Sequence, residues 1–174
     1  QLLGLDLSED EHHTLDQAFA LLADNALEQP RVWVHRDYHS RNLMITDPDN
    51  PGILDFQDAV VGAVTYDLVS LLRDCYVAWP RAQVETWALD HRARLRALGM
   101  SGLDDAGQFL RWFDLMGAQR HLKAIGIFAR LNLRDGKPGY LRDIPRTLGY
   151  VLEAAGRYSE LARLHSLLRA RGVD

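Results

Sequence analysis

Hydrophobic and polar positions recur with the period of an α-helix along most of the chain. Ser8, followed three residues later by Glu11, forms a capping box, and apolar residues then recur at helical spacing up to residue 29. Similar patterns cover residues 65–99, interrupted at Pro80, and continue over residues 104–133 and from residue 145 onward. Gly99 stands where the second of these helices should end. The pattern predicts a mostly helical protein.

Two short segments depart from the helical period. Residues 31–35 (RVWVH) are typical of a short buried strand, and residues 52–56 (GILDF) of a second strand. The turn-rich segment 47–52 (DPDNPG) lies between residues 43–45 and this second strand, so residues 43–56 are predicted to form a β-hairpin. Beyond residue 56 we expect almost only helices. The predicted fold class is therefore mostly α with a small β-hairpin.

Composition adds limits on the class of protein. The chain has 174 residues, a size that suits one domain, and its formal net charge of −4 argues against a protein that coats nucleic acid or an anionic membrane. No apolar run approaches the roughly 18 to 20 residues that cross a bilayer, and no signal peptide is visible. The single cysteine, Cys75, cannot form an internal disulfide. These features predict a cytoplasmic protein.

A polar segment between two apolar ones holds the candidate chemistry. His35, Asp37 and Asn42 lie between the first strand and the hairpin, and Asp55 follows Asn42 by thirteen residues. This spacing is the catalytic arrangement of kinases, in which an aspartate accepts the proton of the acceptor hydroxyl, and an asparagine and a second aspartate hold Mg²⁺. Zinc binding by His35 and His39 is the weaker alternative, because a strand-to-loop transition does not align them as a helical pair.

The residues around these positions resemble a known family. The run HRDYHSRNLM at residues 35–44, followed by ILDFQDA at residues 53–59, resembles the aminoglycoside phosphotransferase superfamily, which has a protein-kinase-like fold. Residues 65–80 and 111–150 are further similar to its bacterial anomeric kinases of N-acetylmuramic acid and N-acetylglucosamine, enzymes of peptidoglycan recycling.

The resemblance implies an ATP-dependent transfer of the γ-phosphoryl group to a sugar hydroxyl, with Mg²⁺ as cofactor. Asp37 resembles the catalytic base, and Asn42 and Asp55 resemble the Mg²⁺ ligands. Asp67 matches an aspartate that braces the catalytic loop, and His35 is expected to anchor that loop.

The resemblance to sugar kinases also suggests candidate substrate-binding residues. His39 is expected to face the sugar or phosphate, with a hydrogen bond within the loop as the alternative. A basic cluster of Arg120, His121 and Lys123 is expected to reach the carboxylate of an acidic sugar, although a solvated helical face is the alternative.

Departures from the protein-kinase pattern narrow the expected acceptor and the extent of the fold. Gln57 replaces the glycine of the Asp-Phe-Gly triplet, and only eleven residues separate Asp55 from Asp67, which points to a small-molecule acceptor. Within residues 1–174 we expect no β-rich N-terminal lobe with a glycine-rich loop, because the residues before the first strand are predicted to be helical. We therefore expect residues 1–174 to form a single domain equivalent to the C-terminal lobe, with a catalytic loop at 35–42, a metal-binding hairpin at 43–56 and a helical remainder at 65–172.

The missing lobe has two expected consequences. The isolated chain should be inactive, and its exposed inter-lobe surface should favour self-association. ATP and a sugar are the expected small-molecule partners, with no nucleic acid and no membrane. Two alternatives stay open: an aminoglycoside as acceptor, and an inactive fragment that acts only as a binding module.

Overall fold

The computed structural model describes residues 6–172, which are mostly helical. The α-helices are α1 (Glu9–Leu27), α2 (Tyr66–Leu72), α3 (Arg81–Ala97), α4 (Ala106–Asp135), α5 (Ile144–Arg157) and α6 (Ala162–Ala170). The strands are β1 (Arg31–Val34), β2 (Leu43–Met44), β3 (Gly52–Ile53) and β4 (Val60–Ala63), and short 3-10 helices cover Ser40–Asn42, Pro138–Asp143 and Ser159–Leu161. The predicted mostly helical fold with a small hairpin is confirmed. Its assignment to one lobe of a kinase-like fold stays a prediction.

Local sequence signals set the helix ends. At the start of α1, the Ser8 backbone N–H donates to a Glu11 carboxylate oxygen at 2.8 Å, and the Glu11 N–H donates to the Ser8 hydroxyl at 3.3 Å. This is the predicted capping box. At the end of α3, Gly99 has φ +86, its N–H donates to the Arg96 carbonyl, and the Met100 N–H donates to the Leu95 carbonyl. These two bonds form a Schellman motif, which requires a residue such as glycine in the left-handed region.

The strands form two separate antiparallel pairs. β2 pairs with β3, with Leu43 opposite Ile53, which confirms the predicted hairpin. β1 pairs with β4, with Val34 opposite Val60. The expectation of almost only helices beyond residue 56 is wrong at β4, because its four residues are held by a partner about thirty positions earlier.

The first strand is also not the buried strand that its composition suggested. Only Val34 is buried in β1, and the Trp33 side chain is 78% exposed. Within the described residues β1 pairs with β4 alone, and the face of β1 that carries Trp33 is exposed.

The chain forms two compact units, of which the first contains the residues from Asn25 to Gly117. We call this the site unit, because it holds the predicted catalytic loop. Its core joins α2, α3 and the first half of α4, and the segment after β4 contributes Val64. The largest fully buried side chains there include Phe109, Phe113 and Met116. Burial of side chains of this size stabilises a fold by about 1.5–3 kcal/mol each, so this core can hold the loop above it in place.

The second unit, here the helical unit, contains the described residues up to Asp24 and those from Ala118 onward. The apolar face of α5 is buried through Val151 and Leu152, and Leu164 of α6 is buried as well. The Phe128 ring stacks on the Tyr140 ring with centroids 5.7 Å apart. The prediction of a single domain is not tested by this division into compact units.

None of the helices within residues 6–172 combines the length and apolar character that crossing a bilayer requires.

Candidate functional site

The candidate site begins where β1 ends, and a carboxylate from α2 holds that point. The two oxygens of Asp67 accept the backbone N–H of His35 at 2.6 Å and the backbone N–H of Arg36 at 3.0 Å. Asp67 is in the first turn of α2, so its carboxylate also lies near the positive end of a helix dipole. A single half-buried carboxylate thus fixes the first two amides of the loop, which is the contact that a bracing role requires.

His35 connects the same loop to the hairpin. Its ring Nε2 lies 2.8 Å from the Leu54 carbonyl oxygen. A carbonyl can only accept, so Nε2 carries a proton and donates it to this bond. Nδ1 is buried without a hydrogen-bond partner in the described part of the chain. The ring therefore contacts the residue that precedes Asp55, which is the contact that an anchoring role requires.

The side chain of Asn42 connects the backbone of Asp37 to the side chain of Asp55. The Asn42 amide nitrogen donates to the Asp37 backbone carbonyl at 2.9 Å and lies 3.4 Å from a carboxylate oxygen of Asp55. The other Asp55 oxygen accepts a hydrogen bond from the Gln57 amide at 2.6 Å. The Asp37 carboxylate is exposed and has no hydrogen-bond or ion-pair partner among residues 6–172. The structure thus brings the loop and the hairpin together, and it leaves one carboxylate unengaged.

Backbone strain is concentrated at the same two segments. Arg36 has φ +78 and Asp55 has φ +64, a left-handed conformation that side chains other than glycine rarely adopt. Such a conformation costs about 1–3 kcal/mol and persists only where surrounding contacts enforce it. Here those contacts include the bond from Asp67 to the Arg36 amide, and the bonds from Asn42 and Gln57 to the Asp55 carboxylate.

The donor chemistry of Asn42 and Asp55 fits Mg²⁺. Because the Asn42 amide nitrogen is bound to an acceptor, the Asp37 carbonyl, the side-chain oxygen Oδ1 is the atom left for a ligand. That oxygen and the Asp55 carboxylate are hard donors of the kind Mg²⁺ takes one or two at a time, with water and phosphate oxygens completing its shell. Within the described ranges, no three His, Cys, Asp or Glu side chains group in a way that could hold a metal ion.

Sequence reasoning missed a second carboxylate that binds the loop, and this one is buried. Asp74 is 3% exposed, and one of its oxygens accepts both the N–H and the hydroxyl of Ser40, while the other accepts the N–H of Tyr76 at 2.9 Å. The Arg41 guanidinium stacks on the Tyr76 ring, 3.5 Å from its centroid. The available signal was an acidic residue in the apolar run that contains α2. Asp67 and Asp74 together tie both ends of the loop to one helix and the segment after it.

The other predicted substrate residues occupy different surroundings. His39 is half-buried in the site unit, with its ring edge-on to Tyr76 at 5.6 Å. The basic cluster lies on α4 in the helical unit, where Lys123 is exposed, Arg120 is half-buried and His121 is buried against Tyr150. A role for these four residues in binding substrate stays a prediction.

Comparison with known proteins agrees with the chemistry of the loop. Residues 1–100 match the sequence profile described as the phosphotransferase enzyme family. The chain belongs to this family. The match includes the catalytic loop, the hairpin and α2, so the predicted resemblance to aminoglycoside phosphotransferases is confirmed.

Three bacterial relatives in the phosphotransferase family carry the same name, N-acetylmuramate/N-acetylglucosamine kinase. The chain is 51% identical to the protein from Pseudomonas putida, 48% identical to that from Pseudomonas aeruginosa and 46% identical to that from Neisseria meningitidis serogroup B. Each comparison covers 166 residues, 95% of this chain and 49% of the relative. The chain thus spans about half the length of the curated relatives it matches.

Proposed function

We propose that the full-length protein is an ATP-dependent kinase that phosphorylates the anomeric hydroxyl of N-acetylmuramate or N-acetylglucosamine. The contacts of Asn42 with the Asp37 backbone and the Asp55 carboxylate, at the junction of loop and hairpin, carry this proposal. The names of the three relatives support the choice of acceptor.

Asp37 is the group proposed to receive the proton of the acceptor. Its carboxylate is exposed and unengaged within residues 6–172, so a hydroxyl can approach it from solvent. As the hydroxyl oxygen forms a bond to the γ-phosphorus and the bond to the β-phosphate oxygen breaks, the hydroxyl proton passes to Asp37 and ADP departs. Such a positioned base contributes about 100- to 10,000-fold to the rate.

Four further residues are proposed to bind the metal ion or to position the backbone of the site. Asn42 and Asp55 would hold Mg²⁺, which neutralises charge on the phosphate oxygens when it is bound. Asp67 and His35 are proposed as positioning residues, because they bind the backbone on either side of these groups.

The segment after Asp55 supports a small acceptor. Its eleven residues reach Asp67 and include β4, all four residues of which pair with β1. Because this segment is short and partly paired with β1, it has too few free residues to bind a peptide. A monosaccharide is small enough to bind at the exposed loop without it.

The proposal concerns the longer protein, because the chain spans about half of its relatives. Large exposed apolar side chains on β1 and around the hairpin, Trp33, Ile45 and Phe56, support a face covered by further protein. That further part is proposed to supply most of the nucleotide contacts, so the isolated chain should be inactive. Because the reaction consumes ATP, we assign it to the cytoplasm. Self-association of the isolated chain stays a prediction.

The test compares full-length wild type with Asp37→Asn, using Asp24→Asn on an exposed face of α1 as the matched control. ADP formation is measured with N-acetylmuramate, N-acetylglucosamine and the aminoglycoside kanamycin, and the sugar products are assayed for a reducing end. We expect sugar-dependent ADP formation, loss of the reducing end, and a kcat at least about 100-fold lower in Asp37→Asn alone.

Three results would contradict parts of the proposal separately. Activity on kanamycin only would replace the acceptor. A product that keeps its reducing end would exclude the anomeric hydroxyl. Turnover by folded Asp37→Asn equal to that of wild type would remove Asp37 from the chemistry.

A further inference from the structure

Arg41 is the exposed cation of the loop, and an aromatic ring fixes its position. Its guanidinium carbon lies 3.5 Å from the centroid of the Tyr76 ring. Stacking uses the face of the guanidinium and leaves its edges, with their N–H groups, available for hydrogen bonds. The side chain is therefore held in one direction while its donors stay open.

Tyr76, whose ring lies against Arg41, and Ser40, which precedes Arg41, are both bound to one carboxylate. The buried Asp74 carboxylate accepts the backbone N–H of Tyr76 through one oxygen and the N–H and hydroxyl of Ser40 through the other. Ser40 directly precedes Arg41. Because both supports are tied to the same buried group, little conformational freedom is left to lose when a ligand binds this cation.

The charge of Arg41 is not neutralised within residues 6–172. No carboxylate lies within ion-pair distance of it, and none of its N–H groups has a hydrogen-bond acceptor. Arg81 in the same unit, by contrast, is bound to the carboxylates of Asp114 and Glu85. A guanidinium presents parallel N–H donors that match a carboxylate at two points, so an oxyanion is the ligand this position suits.

Arg41 and its neighbour Asn42 contact different segments of the chain. Asn42 points to the hairpin, where it meets Asp55, whereas the neighbouring Arg41 points to Tyr76, in the segment after α2. The cation therefore lies against a different segment of the chain from the hairpin contact proposed to face phosphate and Mg²⁺.

We propose that Arg41 binds the carboxylate of an acidic acceptor sugar and gives the site a preference for it over the neutral sugar. The inference rests on the proposed function. N-acetylmuramate and N-acetylglucosamine differ by a lactyl ether that carries one carboxylate, so the two sugars form a matched pair of probes for this contact.

The experiment measures kcat and KM of the full-length enzyme for both sugars and for ATP. The variants are Arg41→Gln and Arg41→Lys, with Arg94→Gln as the control, because Arg94 is an exposed arginine on α3 of the same unit. We expect Arg41→Gln to raise KM for N-acetylmuramate about tenfold, equivalent to about 1.4 kcal/mol, and to leave N-acetylglucosamine within about twofold. Arg41→Lys keeps the charge without the two-point geometry and should recover part of the loss. Arg94→Gln should match wild type.

The remaining outcomes are distinct. An equal loss on both sugars with a raised KM for ATP would assign Arg41 to a nucleotide phosphate and overturn the inference, as would unchanged constants for both sugars. Wild-type enzyme that phosphorylates neither sugar would overturn the proposed function, and this inference with it, before any variant is compared.

Discussion

The brace between Asp67 and the start of the catalytic loop can be tested by one isosteric change. In Asp67→Asn, the side chain keeps its shape but offers one acceptor oxygen in place of two. The N–H groups of His35 and Arg36 now bind separate oxygens, at 2.6 and 3.0 Å. After the change, one of them faces an NH₂ group, which is itself a donor.

The expected loss of local stability at the loop start is the difference between two opposing free energies. A hydrogen bond to a charged acceptor contributes about 1.5–3 kcal/mol, so losing one and weakening the other destabilises the loop by about 3 kcal/mol. Arg36, freed from its bond, can leave the left-handed region and regain about 1 kcal/mol. The net local cost is therefore about 2 kcal/mol.

Amide hydrogen exchange at His35 and Arg36 measures this cost directly. A loss of about 2 kcal/mol corresponds to an exchange rate about 30-fold higher, confined to the loop start. We also expect kcat of the full-length enzyme to fall, because Asp37 follows Arg36 directly. The control is Asp90→Asn, an exposed aspartate on α3. Exchange rates in Asp67→Asn that match this control would refute the reasoning.

Two further predictions concern stability, both read as urea midpoints. Burial and the charge of Arg94 lower the pKa of His91, so His91 binds a proton more readily in the unfolded chain than in the folded one. The free energy of unfolding should therefore be highest above about pH 6.5 and decrease below it. His91→Gln should reduce that decrease. An equal decrease in the variant would exclude His91 as the cause. Asp114→Asn should lower the free energy of unfolding by about 2–3 kcal/mol, because the half-buried Arg81 loses its buried charged partner. The control, Asp104→Asn in the exposed pair with Arg96, should change it by no more than about 0.5 kcal/mol. Equal effects would show that burial of the pair is unimportant.

Features that depend on neighbours close in sequence were predictable from the sequence. The capping box of Ser8 and Glu11, and the helix end at Gly99, involve bonds that span three to five positions, so the residue types alone specify them. The hairpin was predictable for the same reason, because its turn residues and both strands are contiguous.

Features that depend on distant partners were not predictable. β4 is a strand because β1 pairs with it, and its own four residues carry no turn or alternation signal strong enough to indicate this. Trp33 is exposed although its residue type favours burial, because no other part of residues 6–172 covers its face of β1. Asp74 reads in sequence as a polar interruption, and only the fold brings Ser40 and Tyr76 to it.

The sequence by itself determined which chemical groups the site contains and their order along the chain, because the spacing of His35, Asp37, Asn42 and Asp55 is a covalent property. Tertiary structure alone decided which of those groups are bound and which are open. Asn42 is bound to the backbone of Asp37, whereas the Asp37 carboxylate and the Arg41 guanidinium face solvent. The physical reason is that a hydrogen bond requires two groups at about 3 Å, and for residues far apart in sequence only the packed core sets that distance.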